Sequence, residues 1–258
     1  MQSKEENKSK DLGVPFLNCI TNGDSFELIK QIPDKSISLI VTDPPYWHKK
    51  SPATTTKNIQ YETKSSFSNS KLFRADGFMM SEMSDFTPEL VDSFLDEAKR
   101  IMKIMNCYVF CNDTLVPYYT MWAEKNNLLF SILVWEKPLS IINKNRFSQN
   151  IEYIVRIYDY GTALNKLDNN IYYNKVKKYS ITDKIHPTQK PLSLIKEIVE
   201  LSSKENDIVA DFFGGSGTTA IACSELNRRF ILIEKDKSEF VKAKKRLDYF
   251  NSQVRLIF

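Results

Sequence analysis

The sequence predicts an α/β protein, a mainly parallel twisted sheet with helices on both faces. Short runs rich in β-branched residues alternate with segments of helical periodicity along most of the chain. Three of those runs end at an acid, Asp43, Asp211 or Glu234. Three of the seven glycines, Gly214, Gly215 and Gly217, fall within four positions between one run and a helix. Ligands of open α/β sheets bind outside the carboxyl ends of the strands, so this gathering predicts a site as well as a fold.

The elements follow in order. Residues 16–20 form a short strand ended by Gly23-Asp24, and Asp24, with Glu27 three positions on, caps a helix over 25–32. Residues 37–41 are a buried strand stopped by Pro44-Pro45. A long stretch, 48–86, shows no periodicity and is read as a mobile loop; up to residue 76 it carries Lys49, Lys50, Lys57, Lys64, Lys71 and Arg74 against Glu62 and Asp76. Thr87-Pro88-Glu89 opens a helix whose Leu90, Val91, Phe94, Leu95, Ala98 and Met102 share a face. Strand 107–111, helix 115–126 and strand 128–135 come next, followed by a polar segment, 137–150, with Lys144 and Arg146, and a strand over 151–158.

Residues 161–185 set Lys166, Lys175, Lys177, Lys178 and Lys184 against only Asp168 and Asp183, with Tyr172, Tyr173 and Tyr179 interleaved. Phosphate contact plus base stacking requires such a mixture, although a solvated lysine-rich edge has the same composition. A helix over 191–202, a strand ending at Asp211, the glycine turn and its helix, a strand from Arg229 to Glu234 and a helix over 237–249 complete the chain.

At 258 residues, 42% hydrophobic and 26% charged, the chain suffices for one large domain, expected over 16–258 behind a disordered tail of 1–15. Net charge is only +4, so its distribution says more than its sum. The first ten residues have no apolar core and no run approaches the length of a membrane span, so neither an export signal nor an anchor is expected. Cys19, Cys107, Cys111 and Cys223 lack metal-ligand spacing; they read as reduced thiols of a cytoplasmic protein, with no metal site.

Two stretches carry chemistry. In Asp43-Pro44-Pro45-Tyr46-Trp47 the prolines fix the backbone just past a strand and remove two N–H donors, while Asp43 adds a carboxylate and Tyr46 and Trp47 add aromatic faces. That set suits a planar ligand with an exocyclic amine, such as a nucleobase; a plain strand-terminating turn is the alternative. In Asp211-Phe212-Phe213-Gly214-Gly215-Ser216-Gly217-Thr218-Thr219 the glycines let backbone approach a ligand at a helix start, and Glu234 falls about where an acid meets ribose hydroxyls. The spacing differs from a dinucleotide-binding G-x-G-x-x-G, and the lysine of a P-loop is missing.

With His186-Pro-Thr188-Gln189-Lys190-Pro191 between them, these stretches resemble the β subclass of S-adenosylmethionine-dependent DNA amino-methyltransferases, over residues 16 to 250. The order, catalytic motif first and cofactor loop late, marks the subclass. The resemblance implies a class I methyltransferase fold in permuted order and S-adenosyl-L-methionine as cofactor. It implies catalysis by Asp43, Pro44, Pro45 and Tyr46 on a flipped adenine N6. Cofactor contacts are implied for Asp24, Asp43, Thr188, Gln189, Lys190, Asp211, Phe212, Phe213, Gly214, Gly215, Ser216, Gly217, Thr218, Thr219 and Glu234. Residues 161–185 match the position of a short target-recognition segment, and Lys49, Lys50, Lys144, Arg146, Lys175, Lys177 and Lys178 are the expected contacts to double-stranded DNA.

A homodimer and a cognate restriction endonuclease are the partners the resemblance suggests. Cytosine-N4 members tend to have Ser where this chain has Asp43, which favours adenine, whereas Trp47 is common among them. A catalytically silent DNA-binding subunit would show damage to these motifs, and both are intact.

Overall fold

The computed structural model describes residues 13–46, 86–138, 150–165, 175–181 and 189–255. Its strands are β1 (Cys19–Asn22), β2 (Leu39–Thr42), β3 (Asn106–Cys111), β4 (Leu129–Glu136), β5 (Ile151–Tyr158), β6 (Val176–Lys177), β7 (Ile208–Asp211) and β8 (Arg229–Glu234). They form one sheet in the order β1-β8-β7-β2-β3-β5-β4-β6. β5 runs against both neighbours, and every other pairing is parallel. The carboxyl ends of the parallel strands therefore share one edge with the amino end of β5.

The helices are α1 (Ser25–Leu28), α2 (Pro88–Ile101), α3 (Val116–Lys125), α4 (Leu192–Ser202), α5 (Thr218–Glu225) and α6 (Lys237–Arg255). Two apolar cores, one per face, explain the unbroken hydrophobic runs of the central strands. In β2, Ile40 packs with Val91, Phe94 and Leu95 of α2 and Tyr119 and Trp122 of α3. Its neighbours Leu39 and Val41 face the other way, toward Leu194, Ile195 and Ile198 of α4, Ala220 to Cys223 of α5 and Ala243 of α6. A strand covered on both sides cannot alternate with polar residues.

Several boundaries differ from the sequence reading. Phe16 and Asn18 have φ of 65° and 55°, outside the extended region, so the first strand starts only at Cys19. Asp24 does cap α1, accepting from the Phe26 N–H at 2.9 Å, but the helix is four residues followed by a 3₁₀ turn, Ile29–Gln31. Pro33 requires an extended residue before it, and Ile32 has ψ 129°. α6 continues to Arg255, six residues past the expected end.

Phe86, at the end of the expected loop, is 2% exposed and rings against Phe26, Phe94 and Phe213. Val14, inside the expected tail, packs against the same core. Residues 1–12 and 48–85 of these segments lie outside the described residues. Cys107, Cys111 and Cys223 are buried free thiols, whereas Cys19 is exposed. No helix among the described residues is long and apolar enough to cross a membrane, and they contain no metal-holding cluster.

Candidate active site

Asp43 follows directly on β2, Asp211 is the last residue of β7 and Glu234 the last of β8. Because these strands are parallel, the three acids line one edge of the sheet.

Asp43 sits in a network of buried charge. The Lys190 ammonium bonds Asp43 Oδ2 and lies 3.2 Å from Glu152 Oε2. Tyr46 Oη donates to that same Glu152 oxygen at 2.9 Å, and Lys137 Nζ reaches Glu152 Oε1 at 3.2 Å. The ammonium also lies 5.5 Å from the centre of the Tyr46 ring and 5.2 Å from that of Phe110. Asp43 Oδ1, by contrast, is buried and has no hydrogen-bond partner among the described residues.

Burial pushes the Asp43 carboxyl up; Lys190 opposes this and the Glu152 charge adds to it, leaving it above the usual range. Burial also works against charge on Glu152, yet Lys190 and Lys137 outweigh it and hold that carboxyl low. Lys190 loses solvation, but its two carboxylates keep its pKa above the ordinary lysine value. The result is a fixed cation between one firmly ionised carboxylate and one more readily protonated.

The second part of the site is the glycine turn. Thr42 Oγ1 donates to Asp211 Oδ1 at 2.8 Å, Thr219 Oγ1 to Oδ2 at 2.7 Å, and the Phe213 N–H to Oδ1 at 3.1 Å. Burial raises Asp211 to about 6 against those three donors. Asp211 thus ties β2, β7 and α5 together, and its acceptors are largely used within the protein. Ser216 and Thr218 bond each other at 3.0 Å, and Arg246 of α6 donates to the Ser216 carbonyl and to Thr218 Oγ1, both at 3.0 Å. These hydroxyls build the turn.

Gly217 has φ 76° and Gly215 φ 47°, a conformation that L side chains rarely adopt. A side chain at Gly215 would meet nothing within 4 Å, so the backbone there borders open space. Its N–H donates to Glu234 Oε2 at 2.7 Å, and the Asp236 N–H to Oε1 at 2.7 Å. Burial still leaves the Glu234 carboxyl raised. Phe212 and Phe213 pack against Phe94, forming the floor of the turn. Asp24 pairs with Lys235 at 2.9 Å beside the end of β8.

The remaining predicted residues divide clearly. Gln189 is buried next to Lys190. Thr188, Lys49, Lys50, Lys144 and Arg146 lie outside the described residues. Lys175 is exposed, and Lys178 is exposed and pairs with Glu136 at 3.1 Å. Lys177 departs from the expected DNA contact: it is 5% exposed, and its ammonium bonds Glu197 of α4 at 2.6 Å. Tyr179 Oη donates to the same carboxylate at 3.0 Å. Two neighbours that read as DNA-facing on composition instead pin β6 to α4.

Glu152, Lys137 and Arg246 were not singled out by sequence reasoning. For Glu152 a signal existed: it is the one acid in an otherwise apolar and aromatic strand start, Ile151 to Ile154.

Among the described residues, seven strands in one direction with β5 inserted in reverse, and acids and a glycine turn on the carboxyl edge, define a class I methyltransferase fold. The profile of the DNA methylase family matches residues 37–245, and the chain belongs to that family. Type II methyltransferase M.HinfI of Haemophilus influenzae is 30% identical over 260 residues, covering 90% of this chain and 68% of that protein. Type II methyltransferase M2.DpnII of Streptococcus pneumoniae is 27% identical over 257 residues and 90% of both chains. Among solved structures, M1.HpyAVI in its SAM complex superposes with a TM-score of 0.60 at 26% identity, over 88% of this chain and 98% of that one. The PvuII cytosine-N4-specific DNA methyltransferase shares the fold, with a TM-score of 0.63 at 18% identity over 90% and 91% of the two chains.

Proposed function

We propose that this DNA methyltransferase transfers a methyl group from S-adenosyl-L-methionine to the N6 amine of an adenine flipped out of duplex DNA. The observation that carries the reading is Asp43 Oδ1, a buried acceptor at the carboxyl end of β2 with no hydrogen-bond partner among the described residues. An unmet buried acceptor is costly, and an incoming N–H donor removes that cost.

The lone pair of adenine N6 is delocalised into the ring. Asp43 accepting one N–H and the Pro44 carbonyl accepting the other would localise it on nitrogen. Tyr46, its hydroxyl fixed by Glu152, offers its ring to the flipped base. Asp43, whose carboxyl burial raises, then holds the proton that the nitrogen sheds on alkylation.

The residues at the glycine turn fit the methyl donor. The Gly215 backbone borders open space, and the Glu234 carboxylate, with one N–H bond per oxygen, retains acceptor capacity for a ribose diol. Bound there, the cofactor supplies a sulfonium methyl group. The protein's part is alignment and charge placement. Lys175 and Lys178 stand for the duplex contacts among the described residues. The shared name of the relatives, Type II methyltransferase, supports a companion restriction endonuclease. The homodimer rests on the resemblance alone, and light scattering tests it.

The experiment is methylation of mixed-sequence duplex, digestion to nucleosides and mass spectrometry. N6-methyladenine, lost in Asp43→Ala, is expected. N4-methylcytosine would overturn the base assignment, and bound cofactor without methylated DNA would overturn the enzymatic reading in favour of a DNA-binding subunit.

A further inference from the structure

We propose that Glu152 is a positioning residue that competes with Asp43 for the Lys190 ammonium, and so sets how strongly Asp43 accepts the target amine. The inference rests on the reading of Asp43 as that acceptor.

The geometry comes from the reversed strand. Cys111, the last residue of β3, pairs with Tyr153, so Glu152 lies just past the end of β3 on the edge where Asp43 sits. Lys190, 8% exposed in its side chain, lies within 3.2 Å of Glu152 Oε2 while bonded to Asp43 Oδ2. An ammonium shared by two carboxylates moves toward whichever is the better acceptor. If Lys190 remained fully on Asp43, that carboxylate would offer the amine one oxygen, already weakened by the cation. Glu152 supplies a second seat. Lys137, on its other oxygen, moderates how hard it pulls.

Among the described residues, titratable groups from several neighbouring elements face Asp43. Lys190 precedes α4, Glu152 is on β5, Tyr46 is on its own loop, Cys111 ends β3, Tyr119 is on α3 and Asp211 ends β7. Only Lys190 among them is cationic. Altering the charge at Glu152 or Lys137 therefore shifts Asp43 in a predictable direction.

The test compares Glu152→Gln and Lys137→Met with the wild type in kcat as a function of pH, in binding and flipping of a 2-aminopurine duplex, and in thermal melts. Gln keeps the size of the side chain and an oxygen for the Tyr46 hydroxyl. It removes the competing charge, so Asp43 keeps Lys190. Glu152→Gln is expected to lower kcat on the order of ten- to a hundredfold. Its acidic limb should move to lower pH, with 2-aminopurine flipping retained. Lys137→Met frees Glu152 to hold Lys190 more firmly, and the acidic limb should move to higher pH. Glu152→Asp, restoring the charge, should recover the wild-type limb. Limbs that stay in place in Glu152→Gln and Lys137→Met, or move in the same direction, would overturn the inference. If Glu152→Gln fails to fold, the Lys137→Met limb decides alone. A wild type that makes no N6-methyladenine would instead defeat the underlying reading.

Discussion

Replacing Gly214 by alanine places a methyl group 2.0 Å from Leu232 Cδ2 and 2.5 Å from its Cγ. Leu232 is fully buried on β8, in the core shared with Val209, Ala243 and Leu247. The backbone cannot slide aside without loss, because the Gly214 N–H donates to the Ile233 carbonyl at 2.8 Å and its own carbonyl accepts from the Gly217 N–H at 2.9 Å. Overpacking of this kind costs about 1–3 kcal/mol. For a chain of this size that is a fall in melting temperature of roughly 2–12 °C. Weaker cofactor binding should follow, since the displaced turn carries the Gly215 N–H that fixes Glu234. Leu232→Ala should cost about 2–5 kcal/mol alone and less in combination, because the two changes share one volume. Calorimetry of the two single variants and the double variant is the assay. A Gly214→Ala protein that melts with the wild type, or a double variant whose losses add, would refute the packing argument.

Asp211 gives a pH prediction. Its folded value of about 6 lies above the ordinary 3.8, so between those values the folded protein holds a proton that the unfolded chain has lost. Its contribution to stability is therefore full below pH 3.8 and is lost as pH rises through 6, with a slope of at most about 1.4 kcal/mol per pH unit. Denaturant melts of Asp211→Asn between pH 4 and 7 should show a flatter dependence than the wild type, and an equal slope would contradict the assignment. The two neighbouring lysines should separate cleanly. Lys178→Ala should lower the salt dependence of DNA binding by about 0.9 in log K against log salt, whereas Lys177→Ala should leave that slope alone and lower the melting temperature. A thiol reagent should titrate Cys19 in the native protein and all four cysteines only after unfolding, because burial pushes Cys107, Cys111 and Cys223 well above the usual thiol range. Fast reaction of any of those three would show that the core opens.

The fold was legible because the sheet is covered on both faces. That requires runs such as Leu39 to Val41 and Phe230 to Ile233 to be apolar throughout, a pattern visible without coordinates. Asp43, Asp211 and Glu234 were legible because strand ends are. What escaped depended on contacts between distant segments. Glu152 reaches the site only because β5 is reversed, and the periodicity of a strand carries no direction. Lys177 looks like its neighbour Lys178 until Glu197, twenty residues on, is brought against it by α4. Phe86 ends a polar stretch, and its place under Phe213 is set by the turn after β7. Within the glycine turn, the sequence marked the residues as a group but not which hydroxyls are committed to Asp211 and Arg246.

The sheet order has a consequence for biosynthesis. Among the described residues β1 bonds only β8, and its Asn22 pairs with Glu234, more than two hundred positions later. β2, in the middle of the sheet, lacks one neighbour until residues 208–211 of β7 arrive. A ribosome that has delivered the catalytic motif and everything up to α4 therefore presents an open strand edge where the cofactor half will dock. Such edges recruit other chains, and contacts this distant in sequence form slowly. The interval between translating residue 42 and residue 234 is when this protein is most exposed to aggregation.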